Sequence, residues 1–317
     1  MNLCALLLLF FSSFDDTFRT GLLALQQGDL PAAQTNLESA AKLEPRDGRV
    51  WVALCQTYWR MHKDAQAEAA ADKALALAPK SPIVLQSLTL YYSETHQPLK
   101  AARIADKDHA AALYFEAARP LLDQTKFAEA AAILEESTPK NAQLELALGV
   151  AYYGLRRFDD AADAFLRTIA LAPETEQPYL FLGRIIDQVP GRLPQITKAF
   201  VQYESAHPAD GAGYLLHAKA LNAQALDPET ALRLLDKSLS INSNDASAHF
   251  EKGAVLDRLK RFSDAAFEFE KSAALAPDDP AAHYRLARDY ERLGKQEAAQ
   301  AEREKHAKLV KARDPMQ

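Results

Sequence analysis

The chain has 317 residues, 48% of them hydrophobic, with 11 glycines and a formal net charge of −6. That balance excludes a disordered chain, which lacks the apolar surface to fold, and a basic nucleic-acid-binding surface of the usual kind. The two cysteines, Cys4 and Cys55, give no basis for a disulfide framework.

The chain opens with MNLCALLLLFFSS, in which Leu3 to Phe11 is an unbroken apolar run. This length suits the hydrophobic core of a secretory signal peptide and is too short for a membrane-spanning helix. Lys and Arg are missing ahead of it, whereas small residues, Ser12 and Ser13, follow it. Residues 1–13 are therefore expected to be a signal peptide, cleaved near Ser13 to Asp16. The protein is then exported, periplasmic or secreted, with a cytoplasmic location as the alternative. Removing the leader leaves Cys55 as a lone thiol, read as a small packing residue.

From residue 14 the sequence repeats itself. Pro45 and Pro79 are 34 residues apart, and the same step links Gly21 to Cys55, Ala24 to Tyr58, Ala33 to Ala67 and Ala40 to Ala74. In the stretch from Gly48 to Lys80, Trp51, Leu54, Cys55 and Tyr58 fall on one face at helical spacing. The pattern breaks at His62 and Lys63, and a second helix is expected from about Asp64 to Leu77. Its alanines are small where two helices approach closely, and Pro79 ends it. Later words match earlier ones: FDDAADAFLRTIALAPE begins at Phe158 and FSDAAFEFEKSAALAPD at Phe262. A 34-residue period closed by proline is the mark of stacked helix pairs. One pair cannot bury its apolar face alone, so neighbours must stack.

These residues make the chain resemble the tetratricopeptide repeat family, in its bacterial type. The best matches run from Gly48 to Pro79, Ala142 to Pro173 and Ala246 to Pro277. The family's small residue and aromatic of the first helix correspond to Gly149 with Tyr152. The alanine and aromatic of the second helix correspond to Ala161 with Phe165 and Ala265 with Phe269. The resemblance implies an all-α fold, a right-handed α-solenoid of stacked antiparallel helix pairs. About nine units are expected, at 14–47, 48–81, 82–110, 111–141, 142–175, 176–210, 211–245, 246–279 and 280–313. A division into 14–110 and 111–313 is expected, because ARIADKDHAA shortens one second helix. QVPGRLPQ and ALDPET interrupt the sixth and seventh units. The polar segment QEAAQAEREKHAKLVKAR reads as a capping helix, with a short tail at 314–317.

Motifs for chemistry are missing. The sequence contains no phosphate-cradling glycine loop, no HExxH, no paired CxxC and no nucleophile elbow. No cofactor, metal or catalytic residue is assigned, and no enzyme is expected. His62 and His96, 34 residues apart, read as turn residues, and Asp159 and Asp160 as acids at a helix start. In this family, function implies a concave groove lined by first helices. Projecting the helical period onto that groove selects Gln56, Trp59, Arg60, Arg119, Tyr153 and Arg184. Further along it selects Lys219, Asn222, Asp257, Tyr284, Arg288 and Arg292. Trp59 is expected to point off the packed face and Trp51 to lie on it. The Lys/Asn/Asn/Lys/Arg set that clamps a chaperone's C-terminal carboxylate is missing, since Phe18 and Leu22 stand at its first places. The function expected is a non-catalytic scaffold holding a segment of another protein, with no nucleic-acid partner and no membrane span after cleavage. Alternatives are an accessory subunit of a protein-glycosylating or envelope-assembly enzyme, and a small-molecule or peptide sensor.

Overall fold

Acidic residues open many of the helices. Asp47, Asp210, Asp245 and Asp279 each accept a hydrogen bond from the amide two residues on, at 2.9, 2.9, 2.9 and 3.2 Å. Each satisfies an amide that the first turn of a helix leaves unpaired. A computed structural model describes residues 13–138 and 140–313. Among them are eighteen α-helices and no strand. The expected leader lies outside the described residues except for Ser13, whose hydroxyl caps the first helix by accepting from the Asp16 amide. The tail at 314–317 also lies outside. No described helix is long and apolar enough to cross a membrane.

The helices form two compact units, one ending at Lys140 and the other beginning at Asn141. In the first, α1 (Phe14–Gln27) pairs with α2 (Leu30–Leu43), α3 (Gly48–Arg60) with α4 (Asp64–Leu77), α5 (Pro82–Glu94) with α6 (Pro98–Ile104), and α7 (Lys107–Asp123) with α8 (Phe127–Glu136). The short α6 confirms the expected truncation. The following helix starts four residues earlier than the expected unit boundary at 111. Asp106 causes this, because its carboxylate accepts from the amides of Asp108 and His109 and starts the turn there.

In the second unit, α9 (Ala142–Gly154) pairs with α10 (Phe158–Leu171), and α11 (Gln177–Ile185) is followed by α12 (Leu193–Ala206). Three more pairs follow: α13 (Gly211–Ala223) with α14 (Pro228–Ile241), α15 (Ala246–Arg258) with α16 (Phe262–Leu275), and α17 (Pro280–Arg292) with α18 (Gln296–Arg313).

A residue in the left-handed region makes nearly every turn within a pair. Gly28, His62, His96, Thr125, Arg156, Ala225, Lys260 and Gly294 have φ between +55° and +81°. The next residue's amide then reaches back to the carbonyl five residues earlier, as Lys63 does to Tyr58 and Lys295 to Tyr290, both at 2.8 Å. This Schellman-type closure satisfies the last carbonyls of the first helix. The two histidines expected in turns sit at these points. In the sixth pair the equivalent residue is Pro190, whose ring holds φ near −65° and forbids the left-handed region. Two single-turn 3-10 helices, Ile186–Gln188 and Pro190–Arg192, replace the usual turn. Arg192 secures them with paired bonds to Asp163 at 2.6 and 2.9 Å.

Inside three of the pairs, a glycine faces a large residue sixteen positions on. A Cβ on Gly149 would lie 2.4 Å from the Phe165 ring, one on Gly253 2.8 Å from Phe269, and one on Gly21 2.7 Å from Leu37. The first helix lies so close to the second that only hydrogen fits. Cys55 is wholly buried. Burial, helped by the charge of Glu68, pushes its thiol up to about 12, so it stays an inert packing group.

Candidate protein-interaction face

First helices of neighbouring pairs lie side by side, so residues at equivalent positions form rows across them. In the first unit, Gln56, Trp59 and Arg60 on α3 line one cleft with Ser87, Leu90, Tyr91 and Glu94 on α5. Leu90 is 56% exposed at its edge. Trp59 meets Tyr91 edge-on, with ring centroids 6.2 Å apart. The Arg60 guanidinium donates to the Leu25 carbonyl at 3.2 Å, near the end of α1. Arg119 is exposed on α7.

The two tryptophans are alike rather than opposite. Trp51 and Trp59 are both half-buried against the same core. Trp51 leans over the edge of the packed face because its indole N–H donates to the Pro45 carbonyl at 3.0 Å and the Lys73 ammonium lies over its ring. Tyr91 covers one side of Trp59, which a projection of α3 alone does not include.

In the second unit, several selected residues bridge adjacent first helices. Tyr153 packs edge-on to Phe181 at 5.4 Å, and Phe181 stacks on Phe165 at 4.9 Å. Lys219 pairs with the buried Glu251 at 3.3 Å, and Asn222 donates to the same carboxylate at 3.4 Å. Arg258 donates to the Asn222 carbonyl at 2.7 Å. Asp257 accepts from Arg292 and lies 3.6 Å from Arg285, while Arg292 also holds Asp289 at 2.9 Å. Asp289 is fully buried, with its second oxygen unpaired among the described residues. Burial and the neighbouring Asp257 carboxylate push Asp289 up to about 6, against the pull of Arg292.

Arg184, Tyr284 and Arg288 are held differently. The Arg184 guanidinium lies 5.4 Å from the Phe181 ring centre and that of Arg288 5.7 Å from Tyr284. Tyr284 is 48% exposed and rests near the His306 ring. Neither arginine has a carboxylate partner among the described residues, so their charges are available to a ligand.

One recurrent feature escapes the sequence reading. The third or fourth residue of several first helices donates back to the carbonyl six residues earlier, where the preceding pair ends. Trp51 does so, as do Tyr179 to Pro173 at 3.0 Å and Tyr214 to Pro208 at 3.1 Å. His249 and His283 occupy the same place, with Nε2 opposite the Ser243 and Pro277 carbonyls and Nδ1 2.6 Å from Glu268 and Glu302. Burial resists the charge of Glu268, but Lys252 and His249 outweigh it and hold the carboxyl below its ordinary value. The 34-residue step from His249 to His283, matched by that from Glu268 to Glu302, was the available signal. These histidines latch one pair to the next. Among the described residues, no group of three or more His, Cys, Asp or Glu could hold a metal ion.

The architecture is that of an all-α array of stacked antiparallel helix pairs. Family models described as Tetratricopeptide repeat match residues 24–89, 115–176 and 215–280. The chain belongs to the tetratricopeptide repeat family. It is 24% identical over 193 residues to a PEX5-related protein of Mus musculus, covering 55% of this chain and 34% of that one. It is 23% identical over 192 residues to a peroxisomal targeting signal receptor of Komagataella phaffii (strain GS115 / ATCC 20864), covering 55% and 33%. This chain thus spans about a third of the length of these curated relatives. Among solved structures, a thermophilic TPR protein of Thermus thermophilus matches at 26% identity, 53% and 91% coverage and a TM-score of 0.46. Yeast Tom70 matches at 13% identity, 93% and 92% coverage and a TM-score of 0.44.

Proposed function

We propose that the protein is a non-catalytic interaction scaffold that holds a segment of a partner protein against its first-helix face. The observation that carries this reading is the set of aromatic and cationic side chains on the first-helix face of the second unit that no carboxylate engages among the described residues: Arg184, Tyr284 and Arg288. Aromatic rings and guanidinium groups dominate binding hot spots. The name of one relative, a targeting signal receptor, supports a role in receiving part of another protein. Export is proposed on the apolar leader, and N-terminal sequencing of the native protein tests it. An intact Met1 on a cytosolic protein rejects it.

Photo-crosslinking tests the docking face. Benzophenone side chains placed at Leu180 and Tyr284 on first helices should give discrete partner adducts in native extract. The same groups at Leu171 and Phe267, exposed on second helices, should not. Adducts confined to the second-helix sites overturn the reading.

A further inference from the structure

Five first helices of the second unit carry an apolar residue at one equivalent position: Leu146, Leu180, Leu215, Phe250 and Tyr284, spaced by 34 or 35 residues. All are half-buried or exposed, with Leu180 at 37% and Tyr284 at 48%. One helical turn further on, four residues along the same face, stand Arg184, Lys219 and Arg288, with the uncharged Val150 and Ala254 at the other two places. The face therefore presents an apolar row beside a cationic row, although the chain as a whole carries a net charge of −6.

Ion pairing decides which of those cations remain available. Glu251 takes Lys219, and Asp257 takes Arg285 and Arg292. Arg184 and Arg288 rest only on aromatic rings. Asp187 is exposed in the turn after Arg184 but forms no ion pair with it. A guanidinium beside a ring keeps its N–H groups for a carboxylate, which it binds through charge-assisted, often paired, hydrogen bonds.

We infer that the occupant of this face is an extended protein segment in which acidic residues alternate with apolar ones. Its carboxylates meet Arg184 and Arg288, and its apolar side chains meet the Leu180–Leu215–Phe250–Tyr284 row. This rests on the reading of the first-helix face as the docking face. An extended strand advances about 3.3 Å per residue and turns alternate side chains to opposite sides, so a strand lying between the two rows turns one residue type to each.

Fluorescence anisotropy of the full chain with labelled, C-terminally amidated twelve-residue peptides tests the inference. The probes are alternating Glu–Leu, alternating Lys–Leu and alternating Glu–Ser sequences, with a twelve-nucleotide oligothymidylate as a generic polyanion. Glu–Leu should bind at least tenfold more tightly than each of the others, and more weakly as salt rises. The double variant Arg184→Glu, Arg288→Glu should lose that preference while its thermal melt stays close to wild type. No Glu–Leu binding, equal binding of Lys–Leu or oligothymidylate, or an unaffected double variant overturns the inference. If first-helix crosslinks to the native partner persist under any of those outcomes, the docking face stands and only the partner chemistry falls.

Discussion

Gly149→Ala isolates the close approach of α9 and α10. The added Cβ would sit 2.4, 2.6 and 2.9 Å from three atoms of the Phe165 ring. Contacts under 3.0 Å force something to move. Phe165 cannot retreat freely, because it is fully buried and Phe181 stacks on it at 4.9 Å with ring planes 8° apart. Two effects oppose each other. Alanine in a helix interior gains about 1 kcal/mol over glycine, whereas overpacking a tight core costs about 1–3 kcal/mol. Three clashing ring atoms against a backed ring place the cost near the top of that range. A net loss of about 1–2 kcal/mol is expected. Gly191→Ala is the control, with nothing within 4 Å of its added Cβ, and should be close to neutral. Phe165→Leu removes the ring edge, and Gly149→Ala made in that background should no longer destabilise. Coupling between neighbours of this kind is of order 0.5–3 kcal/mol. Urea unfolding gives the energies, and hydrogen exchange should accelerate mainly in α9, α10 and the pairs beside them, because repeats stabilise their neighbours. A Gly149→Ala variant that gains stability, or one with the same effect in both backgrounds, refutes the reasoning.

Other outcomes are equally direct. Asp289 is raised from 3.8 to about 6 by burial and Asp257, so between those values the folded state holds a proton that the unfolded chain has released. Its contribution to stability should therefore fall as pH rises through that window, by up to about 3 kcal/mol, against the opposite contribution of carboxylates held low, such as Glu268 and Glu302. Asp289→Asn should remove that contribution in melts at pH 4.5 and 7.5, and an unchanged difference between the two pH values rejects Asp289 as its source. Ala225 sits at φ +55°, so Ala225→Gly should stabilise by about 0.5–1 kcal/mol despite the entropy of glycine. Gly294→Ala, at φ +76°, should do the reverse in thermal melts. Tyr179→Phe should cost about 1 kcal/mol in urea unfolding by leaving a carbonyl without its donor, and Tyr214→Phe, whose bond is exposed, should cost less. Equal losses would show that the bond's burial does not set its contribution.

The 34-residue step, the proline after most second helices and the recurring small and aromatic positions, Gly149 with Tyr152 and Ala161 with Phe165, made the helix pairs legible from the sequence. Each depends on spacing along one helix or on one unit's own turn, and such local rules act through positions a fixed number of residues apart. The break at the sixth pair was legible for the same reason, since Pro190 stands where the other turns need a positive φ. Side-chain engagement across pairs was not legible. A helical projection puts Lys219, Asp257 and Arg292 on the same face as Arg184 and Arg288. It cannot tell that Glu251 takes Lys219 and Asp257 takes Arg292 while only rings support Arg184 and Arg288. Trp51 and Trp59 show the same limit, because Pro45 and Tyr91 set their surroundings from outside α3. Sequence period thus determines which residues share a row, but the distance between rows on neighbouring helices decides which charges are neutralised. That distance exists only after the pairs have stacked.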